Sequence, residues 1–188
     1  MRSIKTITAA CLAAAVLSFG ALSLVGCGPS AEEVMRQGVA DELERLKTHD
    51  AALLDELAAD SGADQLAAYG IDAQTFIAAY LDGFDYRIDE VTVEGDDATA
   101  TVVLTCKKFD AFTQALTEAT TALAEDEETA ALDGDELNAK IGQVVLEVLA
   151  GVEPTESNPV ELPFTRTDNV WSPAPGAEQA LSTALFAG

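Results

Sequence analysis

Residues 84–107 carry the pattern that most restricts the fold, because two β-prone stretches flank the dipeptide Gly95-Asp96. A glycine-aspartate pair between two such stretches is typical of a two-residue hairpin turn. The second stretch alternates strictly. One of its faces would carry Ala98, Ala100, Val102, Leu104 and Cys106. Because successive side chains of a strand point to opposite faces, this alternation predicts a strand with one face against the core.

The first stretch of this hairpin changes parity part of the way along. Its large apolar residues are, in chain order, Phe84, Tyr86, Ile88, Val91 and Val93. The first three occupy even positions and the last two occupy odd positions, so they share a face only if one extra residue is accommodated between them. We therefore predict a β-bulge near Asp89-Glu90, which would bend the sheet.

A second, shorter hairpin is predicted near the carboxyl end. Residues 160–166 alternate, Asp168-Asn169 has the composition of a tight turn, and Val170-Trp171 would form the return strand. A two-residue turn at this position places Arg166 directly opposite Trp171.

Apolar residues at helical spacing predict helices before, between and after the two hairpins. Ser30 and Glu33 form a capping-box pattern, and Asp50 and Asp72 stand where later helices would begin. The order of elements predicts an α+β fold in which helices pack on a curved antiparallel sheet built from two β-hairpins. We see no repeat and no long linker, so residues 31–188 are predicted to form one domain.

The first 26 residues have the layout of a secretory signal, with Arg2 and Lys5 followed by an uncharged apolar run over residues 7–25. The sequence Leu24-Val25-Gly26-Cys27 resembles the lipobox of bacterial lipoproteins. In that family the cysteine thiol receives a diacylglycerol and the chain is cut just before it.

The lipobox resemblance implies that residues 1–26 are a signal peptide, that Cys27 is lipidated and that residues 27–30 are a tether. Two alternatives are an uncleaved membrane-spanning helix and cleavage by the ordinary signal peptidase. All three place the remaining chain outside the cytoplasm. The lipid on Cys27 would hold it at the cell membrane, facing the extracytoplasmic side.

The charge of the chain is strongly negative, with 33 acidic and 10 basic residues and a formal net charge of −23. Loss of residues 1–26 removes two basic residues and no acidic one, which leaves a net charge of −25. Such a surface repels nucleic acid and anionic headgroups, so we expect no nucleic-acid partner. It could attract basic peptides or divalent cations, or it could serve only solubility in a salty medium.

Cysteine and histidine offer little chemistry. With Cys11 in the signal peptide and Cys27 lipidated, Cys106 stands alone in an apolar strand and is predicted to be a buried, inert thiol. His49, the only histidine, is predicted to be a solvated residue at a helix junction. The acidic run 125–128 lacks the ligand order of a calcium loop, so we predict no metal and no cofactor.

The order of elements, the pattern Phe84-Asp85-Tyr86-x-Ile88-x-x-Val91-x-Val93-x-Gly95-Asp96-x-Ala98-x-Ala100-x-Val102 and the late Trp171 resemble a known family. It comprises small bacterial lipoproteins of unknown function with a cystatin-like or nuclear-transport-factor-like cone. The resemblance implies that helices pack into the concave side of a curved sheet. That fold serves both enzymes and binding proteins, so it does not decide function.

One group of residues is a candidate binding site. In an open cone, Arg166, Trp171, Tyr86 and Tyr80 could line a pocket for a small anionic or aromatic ligand. The alternative is that Arg166 only covers Trp171 with its stem while its head lies in water.

We therefore expect a non-enzymatic, lipid-anchored protein that binds a small ligand or an envelope partner. A structural or adaptor role and an enzyme with a carboxylate-based site in the cone are the alternatives.

Overall fold

The computed structural model describes residues 29–60 and 63–186. They form seven α-helices, five β-strands and one short 3-10 turn, Thr129–Ala131. The helices are α1 (Ala31–Lys47), α2 (Ala51–Asp60), α3 (Ala63–Ala67), α4 (Ala73–Leu81), α5 (Phe109–Glu125), α6 (Gly134–Gly151) and α7 (Ala177–Phe186). The strands are β1 (Asp85–Glu94), β2 (Asp97–Cys106), β3 (Thr155–Glu156), β4 (Val160–Thr167) and β5 (Val170–Pro173).

The strands form one antiparallel sheet in the order β1-β2-β4-β5, and the two-residue β3 pairs with the end of β2. The predicted hairpins are β1–β2 and β4–β5, which lie side by side because β2 pairs with β4. Helices pack on this sheet, so the predicted α+β class is confirmed. Strand β3 was not predicted, since two residues next to Pro154 are too few to show an alternation.

The predicted bulge in β1 is confirmed. Ile88 pairs with Val102 and Glu90 with Thr101, so Asp89 has no partner in β2. The extra residue restores the register of the core face, and Val91 beyond the bulge is buried.

The main core lies between the sheet and the helices α1, α2, α4 and α7. Helix α1 contributes Met35, Val39, Leu43 and Leu46. The alternating face of β2 supplies the opposing wall, because the five residues predicted to face the core are all 5% exposed or less. A second, smaller core contains Tyr80, Phe112, Leu149 and Val152 and joins α4 to α5 and α6.

Local sequence sets the helix boundaries as predicted. Ser30 and Glu33 form a reciprocal capping box at the start of α1. The carboxylates of Asp50 and Asp72 accept backbone N–H bonds at the starts of α2 and α4. The acidic run 125–128 leads into the 3-10 turn, and Asp133 then caps α6.

Candidate functional site

The two hairpin turns meet at one end of the sheet, where Arg166 connects them. Asp168 and Asn169 both have positive φ, 52° and 63°, as a two-residue turn between twisted strands requires. The register places Arg166 opposite Trp171, as predicted. Its guanidinium carbon lies 5.3 Å from the centre of the Trp171 ring, and the indole is only 4% exposed.

The same guanidinium group is held by the other hairpin turn. Its Nε and Nη2 donate to Oδ1 of Asp96 at 2.9 and 2.8 Å, and Nη2 also donates to the carbonyl of Gly95 at 3.2 Å. The backbone N–H of Arg166 donates to the carbonyl of Asp96 at 2.7 Å. We call Arg166, Trp171, Asp96 and Gly95 the hairpin clasp. Of the three guanidinium nitrogens of Arg166, only Nη1 makes no hydrogen bond to the described part of the chain.

Tyr86 lies against α1, away from the clasp. Its hydroxyl donates to the carbonyl of Ala40 at 3.1 Å and to Oε2 of Glu44 at 3.2 Å. The ammonium of Lys47 lies 5.9 Å from the centre of its ring. Burial and the bond to Glu44 raise the pKa of Tyr86.

Tyr80 belongs to the second core. Its hydroxyl donates to the carbonyls of Leu185 at 2.8 Å and Lys107 at 3.2 Å. Its ring stacks on Phe186 with centroids 5.4 Å apart, and burial raises its pKa. Tyr80 thus ties α4 to α7 and to the end of β2.

Of the four predicted ligand-binding residues, Arg166 and Trp171 lie together, and Tyr86 and Tyr80 lie away from them. The register pairs Tyr86 with Leu104 and Thr165, beside Arg166, with Asp97. Seven residues of β2 separate these two positions, a distance of roughly 23 Å along the strand. The structure brings Arg166 and Trp171 together and places Tyr86 and Tyr80 towards the other end of the sheet. Ligand binding by the four residues stays a prediction, and Cys27 lies outside the described residues.

Lys107 is a buried cation that sequence analysis missed. Its side chain is 2% exposed, and Nζ donates to the carbonyls of Ala79 at 2.8 Å and Leu149 at 3.0 Å. These carbonyls lie in the last turns of α4 and α6, where a positive charge complements the helix dipole. An exposed carboxylate of Asp82 lies 3.9 Å away. The doublet Lys107-Lys108 gave no indication of which lysine would be buried.

The remaining sequence candidates are placed as follows. Cys106 is 3% exposed, as predicted, and burial raises the pKa of its thiol. His49 lies at the α1–α2 junction with φ 54°. Over residues 29–60 and 63–186, no three His, Cys, Asp or Glu side chains come together in an arrangement that could hold a metal ion. Over the same ranges, no helix is long and apolar enough to cross a membrane.

Comparison with known proteins gives one similarity of fold. No family model matches the sequence, and no curated protein matches it. The structure resembles that of a candidate lipoprotein from Bacillus subtilis, with a TM-score of 0.50 and 12% sequence identity. The match covers 73% of this chain and 47% of the Bacillus protein, so the chain spans about half the length of that protein.

The similarity to the Bacillus protein concerns the fold alone, because the sequence identity is so low. It does not show a cystatin-like or nuclear-transport-factor-like cone. That part of the family resemblance stays a prediction.

Proposed function

We propose that this chain is a lipoprotein held at the extracytoplasmic side of the cell membrane through Cys27, and that its α+β domain binds another envelope protein. In this role the domain is a binding module and not an enzyme. A small-molecule ligand at the hairpin clasp is the second candidate function.

Two independent features support the anchor. The lipobox-like sequence ends at Cys27, and the fold resembles that of a candidate bacterial lipoprotein. The capping box then starts α1 after Ser30, only three residues beyond the cysteine. Three extended residues span about 10 Å, so a lipid on Cys27 would keep the folded domain close to the membrane.

The hydrogen bonds that Arg166 already makes favour a protein partner over a small ligand as the proposed binding partner. A binding site for a small anion needs a cation whose hydrogen-bond donors point towards the ligand. Here Nε and Nη2 already donate to Asp96 and Gly95, and the ring of Trp171 covers one face of the guanidinium group. A small anion would have to displace Asp96 or bind through Nη1 alone.

Acylation is tested by mass spectrometry of the amino-terminal peptide of the protein from its own membrane. We expect a peptide that starts at Cys27 and carries the mass of a diacylglycerol. The Cys27→Ala variant should lose both the added mass and the cleavage at this position. An unmodified amino-terminal peptide on a membrane-retained protein would contradict the proposed anchor.

The partner is tested by cross-linking in intact envelopes, with native mass spectrometry of the purified protein as the comparison. We expect a reproducible cross-linked protein and no added small-molecule mass. A non-covalent mass that is lost in both Arg166→Ala and Trp171→Ala would favour the small ligand instead.

A further inference from the structure

Strand β1 forms one edge of the sheet. It pairs with β2 on one side, and within residues 29–60 and 63–186 no strand lies on its other side. It has ten residues, whereas β5 at the opposite edge has four and ends at Pro173. An edge strand presents backbone N–H and C=O groups that can bind a further strand. The outer side of β1 is therefore a candidate binding surface.

The register of the first hairpin shows which backbone groups of β1 point to this outer side. Glu94 pairs with Asp97 across the two-residue turn, and the pair that closes such a turn exchanges hydrogen bonds. Bonded and non-bonded pairs alternate along an antiparallel ladder. Val91 and Val93 therefore belong to non-bonded pairs, and their N–H and C=O groups point away from β2.

The pairing of β2 with β4 leads to the same assignment. The N–H of Arg166 donates to the carbonyl of Asp96 at 2.7 Å, so the alternation directs the backbone groups of Ala98 towards β4. Ala98 is the partner of Val93 in the first hairpin. Because the backbone groups of Ala98 are turned towards β4, those of Val93 are left to point to the outer side.

Side chains close the outer side of β1 before the bulge. The N–H of Tyr86 donates to Oδ1 of Asp85 at 2.8 Å. The carbonyl of Ile88 accepts a hydrogen bond from Nη1 of Arg36, also at 2.8 Å. These bonds occupy backbone groups that a further strand would need in this part of β1.

Beyond the bulge, the outer side of β1 is open. We call residues 90–94 the open edge. Among the described residues, none forms a hydrogen bond with the outward N–H and C=O groups of Val91 and Val93. Thr92, which lies between them, is exposed. The open edge thus offers two N–H donors and two C=O acceptors in the alternating arrangement that an antiparallel strand requires.

The side chains at the two ends of the open edge are acidic. Glu90, Thr92 and Glu94 share one face of β1, and all three are exposed. In the part of the chain that the structure describes, neither glutamate side chain makes a hydrogen bond or an ion pair. Opposite charges directly across two strands stabilise their pairing, whereas like charges oppose it. The open edge therefore matches a strand that carries lysine or arginine at two positions four residues apart.

The same two glutamates disfavour a second copy of this chain as the added strand. Antiparallel pairing of two β1 strands about Thr92 would place each Glu90 opposite a Glu94. Residues 90–94 contain no basic side chain that would offset this repulsion. The charges therefore oppose self-association through this edge but are complementary to a basic strand.

We propose that the open edge binds an extended basic segment of an envelope protein as a sixth, antiparallel strand of the sheet. This inference rests on the proposed function in assigning the domain a protein partner, and it specifies the surface and the chemistry of that partner. Backbone bonds to Val91 and Val93 hold the added strand, and basic side chains opposite Glu90 and Glu94 select it.

The first test measures binding of a synthetic strand to the full-length protein in nanodiscs of zwitterionic lipid, with empty nanodiscs as the reference. The probe is a nine-residue peptide whose central five residues are lysine, valine, threonine, valine and lysine. One control peptide has the same composition in scrambled order, and another has glutamate in place of lysine. We expect saturable binding of the probe only, weakening as salt is added. Acylation is measured beforehand by mass spectrometry, so failure of the anchor is seen separately from failure of docking.

Methylation of backbone nitrogens in the probe tests strand pairing directly. In an antiparallel strand, the two valines of the probe bond to Val91 and Val93, whereas its two lysines direct their N–H groups to solvent. We expect methylation at the valine nitrogens to weaken binding more than about tenfold and methylation at the lysine nitrogens to weaken it less than about twofold. Equal effects would overturn the proposal, and this test requires no change to the protein.

Two pairs of protein variants locate the binding site. Val93→Pro removes one outward N–H and leaves the bonds to β2 in place, and its control Val93→Ala keeps that N–H. The charge variant carries Glu90→Gln and Glu94→Gln. Its control carries Glu147→Gln and Glu161→Gln, at exposed positions outside the open edge. We expect the first variant of each pair to weaken probe binding at least about fivefold and its control to weaken it less than about twofold.

Cross-linking in intact envelopes separates this inference from the proposed function. We expect the cross-linked protein to be lost in Val93→Pro and kept in Val93→Ala. A cross-link that persists unchanged in Val93→Pro overturns docking on the open edge but leaves the protein partner in place, whereas absence of any cross-link from the wild type overturns both.

Three results of the binding tests would also overturn the inference. They are failure of the probe to bind, equal binding of the scrambled peptide, and equal weakening by both variants of either pair. A dimer of this chain that Val93→Pro abolishes would overturn it as well, because the open edge would then be occupied by a second copy.

Discussion

Replacing Lys107 by methionine should destabilise the protein more than any other single change at a lysine. The substitution keeps the length and most of the apolar stem of the side chain but removes the ammonium group. The carbonyl of Ala79 then loses the ammonium donor at a site where the side chain is 2% exposed, and the carbonyl of Leu149 keeps only the backbone N–H of Val152, at 3.3 Å.

The magnitude follows from those two carbonyls. A buried acceptor left without its partner, as at Ala79, costs about 1–3 kcal/mol, and the loss of one of two hydrogen bonds at Leu149 costs about 0.5–1.5 kcal/mol. Removing a buried ammonium also removes its desolvation penalty, which offsets part of that loss. We expect the free energy of unfolding to fall by about 1–3 kcal/mol, a large share of the roughly 5–15 kcal/mol typical of a folded protein.

The assay is urea denaturation followed by far-UV circular dichroism, with Lys108→Met as the matched control. Lys108 is adjacent in sequence and half-buried, and no hydrogen bond of its side chain is seen in the described part of the chain. Its replacement should change the free energy of unfolding by less than about 0.5 kcal/mol. A loss below about 1 kcal/mol for Lys107→Met, or equal losses for the two variants, would refute the structural role of Lys107.

Three further predictions concern packing, capping and the hairpin clasp. Gly142→Ala should lower the free energy of unfolding by about 1–3 kcal/mol, because the new methyl group would collide with the backbone carbonyl of Tyr69, between α3 and α4. The control is Gly151→Ala, whose new methyl group would meet no atom within 4 Å. Equal melting temperatures of the two variants would contradict the packing argument. Asp72→Ala should lower the melting temperature at neutral pH, because backbone N–H bonds to this cap lower the pKa of its carboxyl group. A group with a lowered pKa stabilises the fold above its unfolded-state pKa, so the difference from wild type should narrow as the pH falls from about 5 to about 3, and a constant difference would exclude this linkage. A double-mutant cycle of Arg166→Met and Asp96→Ala should give a coupling energy of about 0.5–1 kcal/mol, since the Asp96 side chain is 74% exposed, and additive effects would show that the pair contributes no stability.

The sequence predicted the parts of the fold that depend on neighbouring residues. Strand alternation has a period of two, so the parity change between Ile88 and Val91 was enough to predict the bulge at Asp89. Turn composition likewise fixed the register that places Arg166 opposite Trp171.

The sequence did not predict which distant elements would meet around the candidate site. Asp96 binds Arg166 only because β2 pairs with β4, which brings the two hairpin turns together. The sequence prediction grouped Tyr80 and Tyr86 with Arg166 because of the chemistry of their side chains alone. In the structure, the strand register separates Tyr86 from Arg166 by most of the length of β2.

The sequence by itself determined the four longer strands, their turns, the bulge and the caps at Ser30, Asp50 and Asp72, because each depends on residues only a few positions apart. Tertiary structure alone decided that Lys107 lies between the ends of α4 and α6 while Lys108 does not. It also decided that Asp96 meets Arg166, through the pairing of β2 with β4. Both outcomes depend on contacts between residues far apart in the chain, and hydrophobic periodicity carries no information about which elements will make them.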